Sequence, residues 1–128
     1  MDRYDQAAAT TILTGVLRQP GGGATALRAF AEVPGVACES VESGRRLHRT
    51  RSTVLRVGDW EFTAPDAGYE VRARHVIRGI AVLTETPPAA ECAQRLAAEL
   101  LGSAERFGPD ADIATQASLY ALATITGR

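Results

Sequence analysis

The sequence predicts an α+β domain in which helices from both chain ends pack on an antiparallel four-stranded meander, in the order α-α-β-β-β-β-α-α. Three observations carry that expectation. Apolar residues recur at helical spacing near both ends, they alternate with polar ones over much of the middle, and a Gly58-Asp59 pair sits between two alternating runs. The 128 residues suit a single domain spanning 1–128, long enough to bury a core without staples.

The first helix is expected over 4–18, where Ala9, Ile12, Leu13, Val16 and Leu17 follow the i, i+3, i+4, i+7 pattern of one apolar face. Asp2 and Asp5 stand where the positive end of the helix dipole favours them, and Pro20 with Gly21-Gly22-Gly23 ends the helix. A short second helix over 24–32 offers Leu27, Phe30 and Ala31 to the core and stops before Pro34-Gly35. The glycine run precedes a helix, as a phosphate cradle would. It lacks the lysine of a P-loop and follows no strand, so a flexible connection is expected.

Strand character begins at Val36, where Val36, Cys38 and Ser40 alternate with Ala37, Glu39 and Val41, and Ser43-Gly44 marks a turn. A second strand is expected over 46–57. Gly58 at the first position of a two-residue loop suits a type II′ hairpin. The implied register sets Val57 opposite Trp60, Arg56 opposite Glu61 and Leu55 opposite Phe62, with apolar pairs on one face and an ion pair on the other. Pro65-Asp66-Ala67-Gly68 then opens a long strand over 69–84. After Gly79 its alternation disappears, because Ile80, Ala81, Val82 and Leu83 are apolar on both faces. A strand of that kind is expected to be covered on both sides, by a helix or by a second subunit.

Thr86-Pro87-Pro88 starts a helix over 88–107, with Thr86 as the expected N-cap. Its apolar face is Cys92, Leu96, Leu100, Ala104 and Phe107, and Glu91, Arg95 and Glu99 form a charged ladder outside. Gly108-Pro109 ends it. Asp110 is expected to cap a last helix over 111–126, in which no charge occurs from Ile113 to Gly127. A surface helix normally keeps a charged face, so this one is expected to be buried or to pack against another copy.

Arg45, Arg46, Arg49, Arg51, Arg56, Arg72, Arg74 and Arg78 make eight of the chain's 14 basic residues. Only Asp59, Glu61, Asp66 and Glu70 oppose them in that stretch, while the whole chain has a net charge of −1. Guanidiniums on a sheet face suit carboxylate or phosphate groups, so Arg49, Arg51, Arg72, Arg74 and Arg78 are the candidate anion or partner site. The competing expectation is a solvated face neutralised by nearby acids. Nucleic acid is the weaker partner reading, because the net charge is slightly acidic and no stacking aromatics interleave with the arginines. Ile80, Val82, Ile113, Ala117, Tyr120 and Thr124 are the candidate interface of a homodimer.

The alternative is a ligand-binding or enzymatic pocket at His75, Tyr69 and Trp60. No catalytic residue, cofactor or metal is assigned. Two histidines and two cysteines show no metal-ligand spacing, and Asp66, Glu61 and Glu70 lie among arginines that hold carboxylates ionised. Cys38 and Cys92 are expected as reduced thiols in a cytoplasmic protein, without secretory signal or membrane span; their separation does not exclude a disulfide. The function expected is a non-enzymatic interaction module, homodimeric, receiving an acidic protein on its arginines.

Overall fold

The computed structural model describes residues 3–44 and 49–126. Arg45, Arg46 and His48 of the basic run therefore lie outside the described residues, as do Asp2 and Gly127. Helix α1 (Gln6–Leu17) starts where Asp5 accepts a hydrogen bond from the Ala8 backbone N–H at 2.8 Å, the N-cap geometry that satisfies one of the helix's orphan donors. Helix α2 (Gly22–Arg28) follows almost at once. A β-carbon on Gly22 would fall 1.8 Å from the Val16 carbonyl oxygen, and one on Gly23 would fall 2.8 Å from both Ala64 and Val71. The glycine run is thus a close-packed joint between α1, α2 and the sheet rather than a flexible connection. Its first two amides are occupied, Gly21 N–H donating to the Gly68 carbonyl at 2.7 Å and Gly22 N–H to the Gln19 carbonyl at 2.9 Å.

The sheet has five antiparallel strands in sequential order: β1 (Val36–Ser43), β2 (Thr50–Val57), β3 (Trp60–Pro65), β4 (Arg72–Ile77) and β5 (Ile80–Glu85). The α+β class holds, and the strand count is corrected from four to five. The β2–β3 hairpin takes the anticipated register, Val57 to Trp60, Arg56 to Glu61 and Leu55 to Phe62. Gly58 supplies the positive φ of 58° that a type II′ turn needs at its first position.

The expected long strand over 69–84 is in fact a hairpin. Arg78 (φ 53°) and Gly79 (φ 80°) both adopt left-handed backbone, as in a type I′ turn, and bring Ile77 opposite Ile80. Arg78 is the only non-glycine residue among those described with positive φ. Arginine is not a residue such a turn selects, which hid the reversal in the sequence. A bulge follows: His75 faces Leu83 and Val76 faces Ala81, leaving Val82 as the extra residue. β5 is an edge strand with all six residues exposed, so no helix among the described residues covers it.

Helix α3 (Ala89–Phe107) starts three residues later than its predicted cap. Pro87-Pro88 keeps the chain extended, Pro88 occupies the N-cap position with φ −58° and ψ 158°, and no side chain caps the helix; Thr86 plays no such role. Helix α4 (Pro109–Thr126) has proline at its first position and Asp110 inside its first turn rather than before it. Leu55, Val57, Trp60, Phe62, Ala64 and Ala73 point from one face of the sheet into a core completed by Leu13, Leu17, Leu27, Phe30, Leu96 and Leu100. α2 packs on β2 and β3, α3 on β2, and α4 lies against α1 and α3. Phe107 departs from its expected place: it is mostly exposed, with its ring lying over the backbone of Gly35.

Candidate functional site

Strand alternation decides where each arginine points. Arg56, Arg72 and Arg74 are on the sheet face away from the helices, since their neighbours Leu55, Val57 and Ala73 point into the core. Arg51 has the opposite parity and lies directly across from Glu42 on the helix side, beyond the helices' cover. Arg49 precedes β2, and Arg78 sits in the β4–β5 turn. The five residues of the candidate anion site are therefore not brought onto one face.

Most of them are also neutralised. On the outer face a chain of charge crosses four strands: Arg56 donates to Glu39 at 2.8 Å and to Glu61 at 2.9 Å, and Arg74 donates to the other Glu61 oxygen at 3.0 Å. Register places Glu61 directly between Arg56 on β2 and Arg74 on β4. The hydrogen bond that Arg56 donates to Glu39, with the one it donates to Glu61, holds its guanidinium more firmly in the charged form. Glu42 takes up both Arg51, at 2.9 Å, and Arg49, at 3.5 Å. Among the described residues Arg72 and Arg78 make no ion pair.

The candidate pocket residues separate too. Trp60 and His75 are cross-strand neighbours whose rings stack at 4.7 Å with 4° between planes, and the Arg95 guanidinium lies 4.4 Å from the centre of the Trp60 ring. Arg95 is exposed, as its place in the outer charged ladder predicts, and it also makes a cation–π contact that joins α3 to the sheet. Tyr69 precedes β4, is 63% exposed, and borders a different hollow beside Leu17, Arg18 and Pro88. The opening nearest the stack, about 480 Å³, has Glu85, Glu91, Gln94 and Arg95 on its walls. No serine, cysteine or histidine lines it, so it offers charge and hydrogen bonds but no nucleophile with a base.

Cys38 and Cys92 are both free thiols. Burial pushes the Cys92 thiol up to about 12, and partial burial raises that of Cys38. Among the described residues no group of three His, Cys, Asp or Glu side chains could hold a metal, and no helix is long and apolar enough to cross a membrane.

The candidate interface residues fall on two separate apolar surfaces. On β5, Ile80 is 66%, Val82 56% and Leu83 47% exposed, and Ile77 across the turn is exposed as well. On α4, Ala111, Thr115, Leu119 and Leu122 face inward while Ile113, Ala117, Tyr120 and Thr124 face out along one stripe. The charge-free helix is thus half buried and half exposed. Beside that stripe the N-terminal segment is clasped: Gln116 accepts from the Tyr4 N–H at 2.7 Å and donates to the Tyr4 carbonyl at 3.0 Å, and Arg3 pairs with Asp112. The hydrogen bond from Arg3 holds the Asp112 carboxyl below the usual carboxylate range.

A family model described as Domain of unknown function (DUF5073) matches residues 1–124. The chain belongs to that family. No curated protein and no solved structure matches it.

Proposed function

We propose that this DUF5073 chain is a non-enzymatic protein-interaction module that works as a homodimer. The observation that carries this reading is β5: a sheet edge whose residues Ile80–Thr84 bear no charge and are all exposed. Folded proteins blunt open edges with charge, proline or a covering element, because unpaired N–H and C=O groups recruit other strands. The opposite edge, β1, has that protection in Glu39 and Glu42. β5 has neither charge, proline nor, among the described residues, a covering element before Glu85, and only the bulge at Val82 interrupts it. Burying Ile80, Val82 and Leu83 removes from water the largest exposed apolar side chains of that edge, each worth on the order of 1.5–3 kcal/mol when fully buried.

The acidic-partner component of the reading draws less support. The outer face is an alternating chain of Glu39, Arg56, Glu61 and Arg74, and of the five candidate arginines only Arg72 and Arg78 make no ion pair among the described residues. An enzymatic pocket draws less still, since Trp60, His75 and Tyr69 do not converge.

Native mass spectrometry with sedimentation at micromolar concentration tests the reading. The expected species is a dimer of the 13.6 kDa chain, and Val82→Asp, at an exposed bulge position, is expected to give a folded monomer. A wild-type chain that stays monomeric at high concentration, with stability unchanged on dilution, removes the homodimer.

A further inference from the structure

We infer that two copies join antiparallel through β5, making one continuous ten-stranded sheet in which each Glu85 meets the second copy's Arg78. The inference rests on the homodimer reading and specifies its geometry. β5 and its turn are self-complementary in charge: a cation at one end (Arg78), an uncharged stretch (Ile80–Thr84), and an anion at the other (Glu85). Both Arg78 and Glu85 are exposed, and neither makes an ion pair among the described residues.

An antiparallel pairing related by a twofold axis puts the same residue opposite itself at its centre. With Val82 at that centre, residues 80–84 face residues 80–84, and Glu85 falls opposite Gly79 of the second copy, one residue from its Arg78. Two opposite-charge contacts then flank an apolar middle. A parallel pairing would set Arg78 beside Arg78 and Glu85 beside Glu85, which is unfavourable at both ends. The complementarity selects a second copy of this chain over an unrelated strand, and the antiparallel arrangement over the parallel one. Register also decides what happens to the exposed apolar side chains: the two bulged Val82 residues meet on the axis, Leu83 of each copy faces Ala81 of the other, and Ile80 faces Thr84.

Charge reversal tests this on the full chain. Arg78→Glu and Glu85→Arg, each alone, place like charges at both ends of the pairing, and each is expected to weaken homodimerisation about tenfold. Mixing the two variants in equal amounts restores opposite charges at both contacts, so a heterodimer is expected to form with near wild-type affinity. Native mass spectrometry distinguishes it by mass, and circular dichroism confirms that each variant is folded. Rescue by mixing cannot arise from a contact within one chain. A wild-type dimer indifferent to both reversals would overturn the β5 pairing and leave the homodimer standing, through the α4 stripe instead. A monomeric wild type would remove the homodimer itself.

Discussion

At the scale of single residues, burial and pairing set which groups respond to reagents and to pH. Cys92 is buried with its thiol raised to about 12, whereas Cys38 is only half-buried. A thiol reagent at neutral pH is therefore expected to modify one cysteine of the folded chain and two after denaturation. The same shift has a pH consequence. A thiol raised by folding keeps its proton where the unfolded chain has already lost it, so the Cys92 contribution is intact below pH 9.0 and is lost as pH rises from there toward about 12. Wild type and Cys92→Ala compared by melting temperature should converge across that window. Glu61 is the most enclosed of the paired acids and serves two arginines, so Glu61→Ala leaves Arg74 unopposed and Arg56 with Glu39 alone, and should cost about 1 kcal/mol in urea unfolding. Glu42→Ala, at a more exposed pair, should cost measurably less. Of these residue-level facts, the Arg56–Glu61 pair was legible in the sequence because it lies within a two-residue hairpin whose turn fixes the register. The Trp60–Arg95 contact was not: thirty-five positions separate those residues, and only the docking of α3 on the sheet brings them together.

At the scale of elements, the two hairpins differ in how plainly their turns speak. Gly58-Asp59 needs one left-handed residue and has a glycine there, so its type and register could be read directly. Arg78-Gly79 needs two and has one glycine, so the chain read as a single long strand until the structure showed its reversal. Because a β-carbon on Gly79 would meet nothing within 4 Å, Gly79→Ala probes the backbone alone. It should destabilise the chain by roughly 1 kcal/mol, measured by chemical unfolding. Helix α3 was legible in its apolar spacing and misread at its start, since the two prolines displaced the expected threonine cap. Helix α4 was legible as a helix. Its lack of charge could not say which half faces the core, because that depends on where α1 and α3 lie.

At the scale of the whole molecule, a dimer joined at β5 would place the helix layers of both copies on the same side of one sheet, and the alternating charges of Glu39, Arg56, Glu61 and Arg74 on the other. The α4 stripe would remain available to a different protein in that assembly. The sequence by itself determined the α+β class, the helices at both ends, the central hairpin and the two uncharged segments, because periodicity, turn chemistry and the absence of charge are local properties. Only the tertiary structure decided that β5 is an open edge, that the arginines scatter over both sheet faces and a turn, and that Trp60, His75 and Tyr69 do not converge. Those outcomes depend on strand order, side-chain parity and helix docking, which arise when segments distant in the chain meet.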